Sequence, residues 1–366
     1  MGAMSHDTAM NNASLNAIRS AATPALLKAA RIDEQNRLYG KLTSMPIQAW
    51  NREVSDLHDA VMTQACRCCE EEMIREGFGP PPSHYAFIAF GSAGRAEPTL
   101  WSDQDNGLIY GEGDVEELEA YFEPFGRKLS EILEQVGYPP CPGNVMLSNP
   151  LWRGNLASWE RQLLEWRDVL AWEQVRYLMI AADLRHICGD AALTGALRQT
   201  MKMIMEADQG SDRDVVTAIL RNTVRHKAAL NILGQVITEQ SGEHAGDFDV
   251  KYGLYIPIVN AVRYLALQYG VEASATWERI SQLVQLEAVP TRWLESCSRA
   301  FDTAVKLRSL VPPETEDGLL TGTHYLPQEM LKQKELRREL RESLSTVKVM
   351  YRTLQRQHRY AERKWL

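Results

Sequence analysis

The chain lacks the marks of several common classes. No apolar run approaches the roughly 20 residues that a membrane-crossing helix needs, so no membrane partner is expected. The opening Met1 to Ala22 is polar and rich in small residues, without a charge-then-apolar leader, and a cytoplasmic protein is expected. Excess basic charge is missing too: the formal net charge is -8. That balance argues against nucleic acid as the partner, although a local basic patch stays open. Cysteines number six, and Cys66, Cys68 and Cys69 crowd one stretch. A zinc site needs four ligands, usually as two spaced pairs, and no second pair exists; reduced thiols are the reading. There is no Ser-His-Asp spacing, no H-E-x-x-H and no Walker-type G-K-[ST] loop.

What remains is globular in character. With 366 residues, 45% of them hydrophobic and 24% charged, the chain has material for real cores and for two or three domains. From Ile47 to Glu76 the apolar positions Trp50, Val54, Leu57, Val61, Ala65, Cys68 and Met73 recur at steps of three to five, one face of a long helix. Gly77 to Pro82 ends it. Tyr85 to Phe90 is short, apolar and aromatic-rich, and reads as a buried strand. Asp103 to Tyr110 reads as a second strand and Val145 to Ser148 as a third. Between them, Val115 to Val136 has helical spacing, with Pro124 predicting a kink or a break. The rest is helical in pattern: Ser158–Leu170, Trp172–Leu184, and at least four more amphipathic stretches after Asp214. The last of these, from Leu331, is basic, but Glu335, Glu339 and Glu342 interleave with its arginines and Lys364. A solvated helix face is the expectation there. His84, His186 and His226 are isolated and read as structural.

Chemistry concentrates in one segment. Phe90-Gly91-Ser92-Ala93-Gly94-Arg95-Ala96-Glu97 follows the first strand, and Ser102-Asp103-Gln104-Asp105 follows shortly after. Gly91 and Gly94 permit unusual dihedrals and close backbone approach. Ser92 suits a helix cap or a phosphate oxygen. Amides at such a turn offer an anion site, and Arg95 adds a donor fork that matches phosphate. Asp103 and Asp105 sit two apart, which on an extended strand puts both carboxylates on one face. Two like charges so placed repel, and a divalent cation relieves them; Mg²⁺ is content with one or two carboxylates plus substrate phosphates and water. The bland alternative is a glycine turn joining two strands, with solvated aspartates. Arg153, after the third strand, is a candidate phosphate contact or an intramolecular ion pair. Asp247, Asp249 and Lys251 open a helix, where acidic residues are favoured by the dipole alone; a substrate-facing role is the alternative.

These residues also carry a resemblance. The pattern G-S-x-G-R-x-E, a spacer, then S-D-x-D resembles that of the DNA polymerase β-type nucleotidyltransferase fold. More narrowly it resembles the bacterial branch holding protein-PII uridylyltransferase and glutamine-synthetase adenylyltransferase. Within that branch it looks like a family of signal-transduction nucleotidyltransferases long filed as domain of unknown function 294. The likeness takes in Tyr138 to Met146, Ser148 to Gly154, Asp183-Leu184-Arg185, Gly189-Asp190, Asp249-Val250-Lys251 and Ile256 to Ala261, from about Val54 to about Met350. It implies transfer of UMP or AMP from a nucleoside triphosphate to a hydroxyl, on a regulatory protein or on a small molecule. Mg²⁺ or Mn²⁺ is implied as cofactor, held by Asp103 and Asp105. Gly91 and Ser92, with Gly94, Arg95 and Glu97 of the motif, are implied at the triphosphate. A third carboxylate is usual on a later strand. Val145 to Ser148 offers none, and Asp183 is the candidate, in surroundings that read as helix.

The architecture expected is α+β: helices over 1–80, a small mixed-sheet nucleotidyltransferase core over 81–190, and an all-α domain over 191–366. The function expected is a metal-dependent nucleotidyltransferase. Its rivals are a nucleotide-binding regulatory module without turnover and, less in keeping with the acidic charge, nucleotide addition to RNA ends.

Overall fold

The computed structural model describes residues 15–207, 214–224, 229–230 and 235–363. His226 and Lys364 lie outside the described residues. The chain divides into two compact units. One comprises residues 1–162, 183–200 and 314–321, the other residues 163–182, 201–313 and 322–366.

Helices α1 (Pro24–Lys41) and α2 (Ile47–Arg75) precede strands β1 (Tyr85–Ala89) and β2 (Asn106–Tyr110). Then come α3 (Val115–Gln135), β3 (Arg153–Asn155), α4 (Leu156–Val169), α5 (Trp172–Ala181), β4 (Arg185–Gly189) and α6 (Ala191–Glu206). After α7 (Val215–Thr223) and β5 (Phe248–Asp249) follow α8 (Ile256–Gln268), α9 (Thr276–Gln285) and α10 (Thr291–Leu310). Strands β6 (Glu314–Glu316), β7 (Leu319–Thr321) and β8 (Tyr325–Leu326) and the long α11 (Lys334–Arg363) close the chain.

The strand unit holds a four-stranded mixed sheet in the order β3-β2-β1-β4. β1 runs antiparallel to both neighbours, and β3 lies parallel to β2. All five residues of β1 and all five of β2 are buried, which explains why β1 reads as an uninterrupted apolar run. α3 is secured at its start by Asp114, whose carboxylate accepts from the amides of Glu116 and Glu117 at 3.1 Å each. Its apolar stripe seats Phe122 and Phe125 on the sheet, with Phe122 stacked on Tyr110 at 4.5 Å and Phe125 edge-on to Tyr85 at 5.2 Å. The helix continues through Pro124 without a break. The carbonyl that loses its donor belongs to Ala120, an exposed residue, so water can take the place of the missing bond.

Three expectations need correction. Val145 to Ser148 is not a strand. It meets β2 through one backbone bond, Asn106 N to Val145 O at 3.0 Å, and through the Asn106 side chain, which accepts from Leu147 N at 2.9 Å. A side chain that occupies the ladder position ends the pairing, and the third strand forms later, at Arg153–Asn155. β2 begins at Asn106, so Asp103 and Asp105 lie on the extended lead-in to the strand and not in it. Asp183, read as helical, sits in the turn between α5 and β4.

The N-terminal helices belong to the strand unit, and their polar side chains reach the connection between β1 and β2. Gln35 donates to Leu100 O at 2.6 Å, Asn51 to Pro98 O at 2.7 Å, and the His58 ring meets Thr99 O at 2.8 Å. Hairpin β6–β7 joins the same unit from far along the chain. Its turn is Asp317-Gly318, both at positive φ (49° and 83°), the dihedrals that a two-residue hairpin turn needs. Leu320 N donates to Gln35 Oε1 at 3.2 Å, and Leu319 covers Gly137.

In the helical unit α8 is buried from Pro257 to Ala266. Tyr351 of α11 donates to Pro257 O at 3.2 Å. α11 buries Leu336, Leu340, Leu344, Val347, Met350, Tyr351 and Leu354, while Arg337, Arg338, Arg341, Arg352, Arg356 and Arg359 stay exposed. The basic tail is thus a solvated helix face. Asp249 accepts from Tyr252 N at 2.9 Å and Asp247 from Gln328 N at 3.0 Å, so both acidic residues serve backbone amides.

His58 yields a pH prediction. Thr99 O can only accept, so Nε2 carries the proton and Nδ1 accepts from the Tyr138 hydroxyl at 2.7 Å. Burial first, then the Arg31 charge, hold the ring neutral, its pKa lowered to about 3. A depressed pKa contributes stability above the unfolded value and loses it as pH falls. Between pH 6.5 and 5 the strand unit should lose about 2 kcal/mol at this residue. Denaturant midpoints across that range check it, and His58→Gln should flatten the slope.

Candidate active site

The turn after β1 is built from its backbone bonds. Phe90 N donates to Asp105 O at 2.9 Å, which ties the end of β1 to the acidic segment. Gly91 to Gly94 form a single helical turn. It closes with Ala96 N to Ala93 O at 3.1 Å and Glu97 N to Ser92 O at 2.9 Å, around Ala96 at φ 53°. That pairing is a Schellman closure with alanine where glycine is usual. Among the described residues, nothing accepts the amide protons of Gly91, Ser92 and Ala93, the first three of the turn. Such amides are donors ready for an anion.

Two glycines are dictated by space. Gly91 has φ 55°, and a Cβ there would overlap the Asp105 carboxylate. At Gly94 a Cβ would overlap Asp183 O and come within 2.7 Å of Ala89 O. The turn is therefore wedged between the acidic segment on one side and the lead-in to β4 on the other.

The acidic segment alternates as expected from extended backbone. Asp103 and Asp105 are half-buried, and Gln104 between them is 1% exposed. Gln104 is the anchor: its amide nitrogen donates to Ser130 O at 2.9 Å and Tyr138 O at 3.0 Å, and its backbone N to Pro139 O at 2.9 Å. With Gln104 held on one side, the alternation of an extended segment turns its two neighbours the other way, and the Asp105 carboxylate lies against Gly91. Sequence reasoning passed over Gln104; its position between the two aspartates was the available signal. Cys141 was also missed as a neighbour of the site. Its thiol hydrogen-bonds the Asp105 carboxylate, and burial, followed by the Asp105 charge, pushes it up to about 12.

The other expected residues are brought to this turn but are engaged. Arg95 is 4% exposed; it pairs with Glu97 and donates through Nη1 to Asp183 Oδ2 at 2.7 Å. Glu97 and Asp183 are 0% and 1% exposed. Removing one member of such a buried set strands the others, at a cost of about 3–5 kcal/mol. Arg153 turns to the 145–150 loop, donating to Leu147 O at 2.8 Å, with Glu119 at 3.8 Å. Arg185 makes a bidentate pair with Asp59 (2.6 and 2.7 Å) and also donates to Ala93 O at 2.8 Å, so it supports the turn from outside.

Among the described residues, no group of three or more His, Cys, Asp and Glu side chains is gathered as for a metal ion. The site's own donors are the two half-buried carboxylates and the three amides. Carboxylates of this kind can meet a cation and free amides an anion; the class, nucleotidyl transfer, comes from the comparison with known families. Residues 35–171 match the family model described as "Putative nucleotidyltransferase DUF294". Residues 213–358 match its companion, "Putative nucleotidyltransferase substrate binding domain". The chain belongs to this nucleotidyltransferase family. No curated protein matches it. No helix among the described residues is long and apolar enough to cross a membrane.

Two outcomes follow from the local geometry. Ala96→Gly should stabilise the strand unit by about 1 kcal/mol, because glycine occupies this dihedral without the Cβ penalty; chemical denaturation checks it. Cys141 should be alkylated at pH 8 at less than about a tenth of the rate of an ordinary thiol. Asp105→Asn, by removing the neighbouring charge, should speed that reaction, as peptide mapping by mass spectrometry would show.

Proposed function

We propose that the chain transfers a nucleoside monophosphate, UMP or AMP, from a nucleoside triphosphate to a hydroxyl. The acceptor is a regulatory protein, as for protein-PII uridylyltransferase, or a small molecule. The observation that carries this reading is the packing of Gly91 against Asp105: amide donors for phosphate and carboxylates for a cation are built as one unit. A signalling role in a bacterial cytoplasm is part of the same proposal.

The residues fit Mg²⁺ or Mn²⁺, since two half-buried carboxylates on one side of an extended segment are the donor set such an ion accepts alongside phosphate oxygens and water. Asp103 and Asp105 would hold it, and when bound it neutralises charge on the phosphates and orients them. The amides of Gly91, Ser92 and Ala93 and the Ser92 hydroxyl bind phosphate oxygens. Arg95, Glu97 and Asp183 act as positioning residues: the guanidinium is consumed by its two carboxylates, so it sets the turn's place and not the phosphate's. Arg153 does the same for the 145–150 loop. Gln104 fixes the direction of the carboxylates. An acceptor hydroxyl then attacks the α-phosphorus in line, pyrophosphate leaves, and no covalent enzyme intermediate is required.

A second reading, nucleotide binding without turnover, draws on one fact. Asp183, the candidate third carboxylate, is buried in its pair with Arg95.

Purified protein with Mg²⁺ or Mn²⁺, each α-phosphate-labelled triphosphate and cell lysate separates the two. Label should appear on an acceptor with wild type, and Asp103→Asn or Asp105→Asn should lower it by about 100-fold or more. Gly91→Ala, which displaces Asp105, should cost about 100-fold without unfolding the protein. Nucleotide binding with no label from any triphosphate would favour the second reading.

A further inference from the structure

The helical unit contains a buried arginine that has nothing to pair with among the described residues. Arg308, in the last turn of α10, is 8% exposed, and among the described residues it donates to no acceptor and pairs with no carboxylate; its Nε and Nη1 are buried without a partner. The other buried arginines differ. Arg31 donates to Val136 O at 2.6 Å, Arg263 to Asn260 Oδ1 at 2.7 Å and Arg279 to Ala273 O at 2.7 Å, while Arg95 and Arg153 are engaged as described. A buried charge is costly unless paired and hydrogen-bonded. The Arg308 guanidinium lies 4.0 Å over the Tyr255 ring and near a helix C-terminus, and both offset part of that cost. Neither takes its N–H groups.

Two further donors lie within its electrostatic reach, since the Arg308 charge is felt at His324. Lys251, on the π-helical turn Lys251–Tyr255 that leads into α8, places Nζ 3.2 Å from His324 Nε2. It has no ion-pair partner among the described residues. His324 is held neutral, its pKa lowered to about 3 by burial and then by the charges of Lys251 and Arg308, so both cations act on this one ring. A neutral imidazole that accepts at Nε2 carries its proton on Nδ1, and among the described residues nothing accepts that proton. A guanidinium, an ammonium and an imidazole N–H thus act in one place; the nearby Asp249 carboxylate feels the Lys251 charge but is taken up by backbone amides, that of Tyr252 at 2.9 Å among them. π-turns of this kind often mark functional positions.

We propose that Arg308, Lys251 and His324 form a binding site for a phosphate group. An arginine fork with a lysine point charge matches tetrahedral phosphate oxygens, and the imidazole adds a third donor. The phosphate comes from one of two sources: a phosphate-bearing acceptor, or free phosphate acting as a regulator. The first source rests on the transferase reading; the site itself does not.

Full-length protein is titrated with inorganic phosphate by calorimetry, at fixed ionic strength set with chloride. Saturable binding is expected in wild type and should weaken tenfold or more in Arg308→Met and in Lys251→Met. Lys306→Met, which loses only an exposed pair with Glu339, should bind as wild type. Circular dichroism reports folding; if Arg308→Met does not fold, the half-buried Lys251 carries the comparison. No saturable binding by wild type, equal binding by the folded variants, or an adventitious ion lost equally in Lys306→Met overturns the site. Phosphate added to the labelling assay separates the sources. Suppression overcome by more lysate assigns the site to the acceptor; a rate change independent of lysate assigns it to regulation. If transfer fails for every nucleotide while phosphate still binds, the transferase reading falls and this site stands.

Discussion

Buried backbone needs hydrogen-bond partners, and the connection from β1 to β2 is where this protein must supply them without a ladder. From Phe90 to Asp105 the chain runs through the interior of the strand unit as a turn and an extended segment. Side chains from elsewhere meet its carbonyls: Gln35 at Leu100, Asn51 at Pro98, His58 at Thr99 and Arg185 at Ala93. Gln104 reverses the direction and reaches out to Ser130 and Tyr138. The site is a loop, yet it is held as firmly as a strand, by polar contacts from α1, α2, α3 and β4.

This explains the buried charges around it. Arg95, Glu97 and Asp183 would be an expensive way to gain stability, since burying ions costs several kcal/mol each. What they provide is position: the turn is fixed against the lead-in to β4, and Gly94 lets Asp183 O approach as closely as it does. The two glycines of the motif therefore have separate tasks. Gly91 admits a carboxylate side chain and Gly94 admits a backbone.

The sequence was legible where local chemistry decides. Gly91, Ser92 and the Asp103/Asp105 pair stand out because tight turns and like-charge pairs on an extended segment follow from residue type alone, and the long α2 announces itself by its period. The strand at Val145 was misread because hydrophobic pattern does not reveal that Asn106 takes the ladder position. β4 and the place of Asp183 escaped for a related reason: Arg185 to Gly189 holds polar residues that suggest no strand until β1 is beside it. Arg95 was read as a phosphate ligand, and only the fold brings Asp183 across 88 positions of sequence to claim it. Lys251 was singled out for its neighbours in sequence; Arg308 and His324, its neighbours in space, were invisible.

Hairpin β6–β7 has a consequence for how this protein is made. The strand unit draws on residues 314–321, where Leu319 covers Gly137 and Leu320 meets Gln35, and Gln35 in turn holds the loop of the site. A ribosome delivers residues in order, and domains commonly fold as they emerge. Here the first half of the chain emerges without the piece that completes it. The unit that carries the site reaches its final packing only after residue 321 has been synthesised, so the nascent chain is incomplete in its chemistry until α7 to α10 of the helical unit have also been made.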